Sequence, residues 1–246
     1  MRIAIRGCAA LMIGVIAIAI AIAIANAQAL EITPLSEQLF LHQSEKEVEG
    51  FGKVSANGLV LVEGKEAFVV DTPWTDADAE ALLQWAKAKG LTVKAVLATH
   101  WHEDRAGSFG VFEKAGITTL SSEATQAILR QHQKTLATQT FSGDEIQYFG
   151  NKAQVFYPGA GHAMDNLVVY LPHEKLLFGG CLVREASTRS MGFYGDGSLQ
   201  AWPDSMSRVM AKFPDVITVV PGHGALGDKR LLEHTRVQAE AALKAQ

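Results

Sequence analysis

Cysteine is almost missing from this chain, which holds two in 246 residues, Cys8 and Cys181. Two thiols cannot build a disulfide framework, so a hydrophobic core must carry the fold. Positive charge is not in excess either: 22 Lys and Arg stand against 26 Asp and Glu, a formal net charge of −4. That balance excludes the basic face that nucleic acid requires. No linker and no low-complexity stretch interrupts the chain beyond its start, so one domain is expected. The hydrophobic share of 48% and charged share of 20% suit a packed enzyme with a sizeable core.

Charge is absent altogether from residue 7 to residue 30. Arg2 and Arg6 precede an apolar run, and Ala25-Asn26-Ala27 forms a small-x-small cleavage site. The run approaches the length of a bilayer span, but the cleavage site reads it as a secretory signal peptide, residues 1–27. A domain of residues 28–246, exported to the periplasm, is expected to remain. Removing the signal takes away two arginines and no acid, which moves the formal charge to −6. Cys8 leaves with it. Cys181 is then a lone thiol in an oxidising compartment, where it is buried and inert, dimer-forming, or held as a metal-bound thiolate.

What is there in quantity is short β runs. Leu39–Leu41, Gly58–Val62 and Glu66–Val70 read as a meander, and Glu49-Gly50-Phe51-Gly52-Lys53 is either a plain hairpin tip or a flap that lays Phe51 over a substrate. Asp71 closes the third run as a turn-former or a partner to a metal ligand. An amphipathic helix is predicted over Asp76–Lys89, a strand to Ala98 and a helix over Gly107–Lys114. A strand over Ile117–Leu120 and a helix over Glu123–Thr138 follow. Hairpins follow at Ile146–Tyr157 and Asn166–Phe178, then a helix over Leu199–Phe213, a strand over Val216–Val220 and a closing helix over Asp228–Lys244. The alternation of strands and helices is an α/β pattern.

Chemistry-bearing residues stand at the ends of these strands. His100, His102 and Asp104 fall at i, i+2 and i+4 after an apolar run. His162 follows Gly161, Cys181 follows Gly179-Gly180, and His223 lies between Gly222 and Gly224. Imidazole, thiolate and carboxylate are zinc ligands, and six are too many for one tetrahedral ion that keeps a position open. They suit two metals with three protein ligands each. His42, His132, His173 and His234 lack flanking glycines and read as surface residues.

These residues resemble the metallo-beta-lactamases, in the subclass with a His-His-His site beside an Asp-Cys-His site. The resemblance rests on His100-Trp101-His102-Glu103-Asp104, Gly161-His162-Ala163-Met164-Asp165-Asn166, Gly179-Gly180-Cys181 and Gly222-His223-Gly224, and it spans about residue 35 to the end. Arg105, where glyoxalase-type hydrolases carry His, Cys181, where they carry Asp, and His100, where the mono-zinc subclass has Asn, all point to the di-zinc subclass. The resemblance implies a four-layer αβ/βα sandwich. It implies one zinc on His100, His102 and His162, and a second on Asp104, Cys181 and His223. Asp71 would be a buried carboxylate behind the ligands, and Phe51 would lie in the flap.

The implied reaction is hydrolysis of the beta-lactam amide of penicillins, cephalosporins and carbapenems, which confers antibiotic resistance. Asp104 would orient the attacking hydroxide, and Arg184 would bind the substrate carboxylate where relatives often carry Lys. Ala163 stands where the family often has a hydroxyl. Phe193 replaces an Asn thought to hold the substrate carbonyl, and Tyr194 is the expected substitute. A monomer is expected, with no nucleic-acid partner and no membrane contact after signal removal. A thioesterase or lactonase on the same metals, or a zinc-binding protein without turnover, are the rival readings.

Overall fold

The computed structural model describes residues 30–245, so the expected signal peptide lies outside the described residues. Strands β1 (Glu31–Pro34), β2 (Leu39–Val48), β3 (Gly52–Glu63) and β4 (Glu66–Val70) run antiparallel in chain order. Helix α1 (Asp76–Ala88) crosses over to β5 (Thr92–Leu97). A one-turn α2 (Glu103–Ala106) and α3 (Phe109–Lys114) lead to β6 (Thr118–Ser122), and α4 (Glu123–Gln131) leads to β7 (Gln139–Phe141). From β4 to β7 the pairing is parallel, which completes a seven-stranded sheet. Parallel neighbours need such crossovers, and the helices supply them.

The second sheet has six strands in the order β13-β12-β11-β10-β9-β8. It comprises β8 (Glu145–Tyr148), β9 (Ala153–Phe156), β10 (Val168–Leu171), β11 (Leu176–Gly180), β12 (Thr218–Pro221) and β13 (Gly227–Asp228). Helix α5 (Trp202–Lys212) precedes β12, and α6 (Arg230–Lys244) ends the chain.

Alternation along the strands builds the layers. Leu59, Leu61, Val70 and Leu97 of the first sheet meet Val155, Val169, Leu171 and Phe178 of the second in one core. Their neighbours Val60, Val69 and Val96 face outward and pack beneath Leu82, Phe109, Phe112 and Leu129. Val168, Leu177 and Val219 do the same beneath Trp202, Met206, Val209 and Leu232. Both faces of both sheets are therefore buried, which is why the central strands read as continuous apolar runs. Each fully buried Leu or Val contributes about 1.5–3 kcal/mol through the water it sheds. The architecture is the expected helix–sheet–sheet–helix sandwich.

Several boundaries differ from the sequence reading. β2 and β3 extend well beyond their apolar halves, pairing residue by residue from Gln43↔Asn57 out to Val48↔Gly52. This ribbon projects past the core, so its residues are polar and its strand character does not show as hydrophobic alternation. α4 stops at Gln131, because Gln133 adopts a left-handed backbone (φ 54°). His42 is a correction. It is buried, its Nε2 lies 3.1 Å from the Asp71 carbonyl, and burial lowers its pKa to about 4. The register sets it opposite Gly58, whose missing side chain makes room for the ring: a Cβ there would lie 2.2 Å from Nε2.

Candidate metal centre

The chain turns out of the sheets at one edge of the sandwich, and the six expected ligands stand there. His100 follows β5, His102 caps the first turn of α2, and Asp104 sits within that turn. Cys181 directly follows β11, His223 lies two residues after β12, and His162 is on the loop after β9. Each sheet contributes three.

Their donor atoms fall into two groups. His102 Nδ1 lies 3.0 Å from His100 Nε2 and 3.0 Å from His162 Nε2. A ring nitrogen has one in-plane site, so His102 Nδ1 cannot hydrogen-bond both neighbours. Three nitrogens aimed at one centre are the arrangement a cation requires. Beside them Cys181 Sγ is 3.2 Å from His223 Nε2 and 3.5 Å from Asp104 Oδ2, and His223 Nε2 is 3.3 Å from the same oxygen. His100, His102 and His162, and separately His100, Asp104 and Cys181, lie close enough to share an ion. The nitrogen, thiolate and carboxylate set fits zinc.

Electrostatics keep the imidazoles and the carboxylate in ligand form, but not the thiol. Burial, reinforced by neighbouring imidazoles, holds His100 well below the usual histidine range and His162 down to about 3, so both are neutral with free lone pairs. Burial also lowers His223, whose Nδ1 donates to the Ser55 carbonyl at 2.6 Å and leaves Nε2 for the site. Burial would raise the Asp104 carboxyl, but the Arg105 guanidinium and the nearby histidines outweigh it and keep it ionised. The Cys181 thiol is pushed up by burial, against the pull of Arg105.

Arg105, which the sequence reading used only to tell the subclasses apart, is the hub of these contacts. Fully buried, it donates from Nη2 to Cys181 Sγ at 3.1 Å and to the Gly222 carbonyl at 2.8 Å, and the same nitrogen forms an ion pair with Asp104 Oδ2 at 2.8 Å. Nη1 reaches Asp71 Oδ2 at 3.2 Å and the Asn57 carbonyl. Asp71 in turn accepts from Thr99 N at 2.7 Å and Thr99 Oγ1 at 2.9 Å, which fixes the backbone just before His100. Burial pushes the Asp71 carboxyl up to about 7, against Arg105 and the Thr99 donors. Gly222 permits this approach, since a Cβ there would sit 2.8 Å from Arg105 Nη2. Asn57 Nδ2 donates to the Pro221 and Gly224 carbonyls and clasps the His223 loop to the opposite sheet. Asp196 Oδ2 lies 3.0 Å from His102 Nε2. An arginine beside an expected ligand aspartate was visible in the sequence. Asn57 and Asp196 carried no such signal, because their partners are distant in the chain.

Above the donors lies a cleft of about 770 Å³. Phe51 at the hairpin tip, Arg184, Phe193, Asp196, Trp74 and Trp101 line it along with His102, Asp104, His162 and His223. Phe51 and Phe193 are 61% and 50% exposed, large apolar surfaces left open at its mouth. Tyr194 is not brought to the cleft. It packs partly buried against the outer core of the second sheet while its neighbour Phe193 turns in, with its ring 5.9 Å from His102.

Residues 52–223 match the model of the metallo-beta-lactamase superfamily. The chain is 39% identical to a metallo-beta-lactamase type 2 of Pseudomonas aeruginosa, covering 87% of this chain and 86% of that one. It is 34% identical to one of Bacteroides fragilis, covering 84% of each. Among solved structures it is similar to DIM-1 metallo-beta-lactamase exposed to ceftazidime, with a TM-score of 0.86 at 40% identity over 87% of this chain and 98% of that one. It is as similar to VMB-1, with a TM-score of 0.86 at 41% identity over 89% and 100%. With this sandwich, this donor set and these relatives, the chain belongs to the metallo-beta-lactamase superfamily.

Proposed function

We propose that this chain hydrolyses the amide bond of beta-lactams, penicillins, cephalosporins and carbapenems among them, with two zinc ions, and so confers resistance. The observation that carries the reading is the pair of three-donor groups on the floor of a cleft that also holds Arg184. His100, His102 and His162 would hold one ion, and Asp104, Cys181 and His223 the other. Bound there, zinc supplies Lewis acidity, lowering the pKa of water towards ~7 and polarising a carbonyl.

The protein's own groups do the rest. Arg184 pairs with the substrate carboxylate, and its planar guanidinium allows two parallel hydrogen bonds. That contact sets the reacting carbonyl over the donors and converts binding energy into orientation. Asp104, held by Arg105, accepts a hydrogen bond from the attacking water and aims it. Phe51 closes over the bound ring and excludes bulk water. Phe193 takes the place of the family's loop amide and offers shape without a donor. Asp71 fixes the first histidine through Thr99.

No helix among the described residues is long and apolar enough to cross a membrane. We assign residues 1–27 as a signal peptide, residues 28–246 as one exported domain, the periplasm as its location, and a monomer as its state.

The test is hydrolysis of a chromogenic cephalosporin and a carbapenem by residues 28–246, with zinc, with chelator and with zinc restored, alongside zinc per chain. Turnover lost with chelator and regained at about two zincs per chain is expected. Two zincs bound without turnover of either compound would overturn the substrate assignment.

A further inference from the structure

Behind the ligand loop, apart from Arg184, lies a second cavity of about 180 Å³. Trp74, Trp101, Glu103 and Lys134 wall both this chamber and the main cleft, so they form the partition between the two. We propose that the chamber is a subsite for an amine-bearing group on the acyl side chain of the substrate, opened when Lys134 leaves Glu103. The substrate class rests on the reading above; the chamber's chemistry does not.

Four observations point to that ligand. The partition closes through an ion pair, Glu103 Oε1 to Lys134 Nζ at 3.0 Å, whose side chains are about half exposed. Such a pair is weak in water and parts readily. Glu103 Oε2 is separately held by Lys46 at 3.1 Å, so the carboxylate stays in place when Lys134 departs and another cation can take its position. Asp76 and Glu103 outnumber Lys134 among the chamber's charges, and two indoles stand in its walls, a setting that favours a cation. Lastly, Ser108 lines the chamber, and its buried Oγ has no hydrogen-bond partner among the described residues. A buried hydroxyl left unpaired is unfavourable, and turning it towards an ammonium in the chamber would give it a donor.

The placement suits the reaction. Arg184 belongs to the half of the site built by the second sheet, whereas Trp101, Glu103 and Lys134 belong to the first. A substrate anchored by its carboxylate at Arg184, with its carbonyl over the donor groups, directs its other end towards the partition.

Benzylammonium is the probe, titrated against the zinc-loaded protein and followed by the fluorescence of its tryptophans, two of which wall the chamber. Thr135 is exposed and lines the chamber from outside, so Thr135→Phe fills it without touching the core. That variant is expected to weaken benzylammonium binding at least tenfold. Lys134→Ala removes the competing cation and should tighten it threefold or more. In kinetics, Thr135→Phe should raise the ratio of KM for an amine-bearing substrate to KM for one with a short, uncharged acyl group. Equal affinity for benzyl alcohol and benzylammonium, or binding indifferent to both substitutions, overturns the subsite. If wild-type protein turns over no beta-lactam while the benzylammonium pattern holds, the chamber stands and the assigned substrate falls.

Discussion

Arg105 ties together more of the buried polar groups around the site than any candidate ligand does. Two carboxylates, a thiol and two carbonyls converge on one guanidinium that is wholly buried. Replacing it by Met leaves Asp71 and Asp104 buried without their counter-ion, which costs about 3–5 kcal/mol. Urea denaturation should show a fall of that size for Arg105→Met, and adding Asp71→Asn should recover part of it, because one uncompensated charge is removed. Equal stability in wild type and Arg105→Met would mean the charges are not coupled through this residue. Arg184 makes a different prediction. Its loss should raise KM for carboxylate-bearing substrates by about an order of magnitude, as expected when a charge-assisted bond of ~1.5–3 kcal/mol is removed. An unchanged KM would place the anchor elsewhere. At this scale the sequence was most legible where chemistry is rare: six ligand-type residues at strand ends stand out in any chain. It was least legible at His42, Asn57 and Asp196, whose settings depend on partners from other strands.

The β2–β3 hairpin is the element whose form bears most on the proposed handling of substrate, because its tip sets Phe51 at the cleft. Its outer half pairs in register to Val48↔Gly52, and Gly50 and Gly52 take the left-handed backbone that the tight tip requires. Phe51 is thus carried on a two-stranded ribbon that leaves the support of the core, an arrangement able to move as a unit. Phe51→Ala should raise KM for bulky hydrophobic substrates severalfold and affect small ones less. Kinetics identical to wild type across the panel would remove the flap from the mechanism. Sequence reading found the tip but shortened the strands, since the ribbon's outer half has no apolar face to alternate. The same cause hid β7, a three-residue strand with little buried surface. The central strands and α1, α5 and α6 were legible because burial on one or both faces leaves a period.

For the whole molecule, the two sheets share one core, and their edge is also joined through the site. Leu167 N bonds to the Thr99 carbonyl, Asn57 N to the Gly222 carbonyl, and Arg105 spans from Asp71 to Cys181. Each proposed zinc group extends this seam, because His162 of the second sheet joins two histidines of the first, while Asp104 of the first joins Cys181 and His223 of the second. Zinc bound there acts as a clamp between halves, and a ligand that binds only the folded state stabilises it in proportion to the logarithm of its concentration over Kd. At a thousandfold excess over Kd the gain is about 4 kcal/mol per ion. For a domain of this size each kcal/mol moves Tm by roughly 2–4 °C. Chelation should therefore lower Tm by roughly ten degrees or more, and zinc should restore it, with the shift growing as zinc is raised. The double substitution Cys181→Ser/His223→Ala should keep part of the zinc-dependent shift and lose the rest, because one group survives. A Tm indifferent to zinc in the wild type would mean that the donors do not bind it across the seam, whatever the cleft can bind.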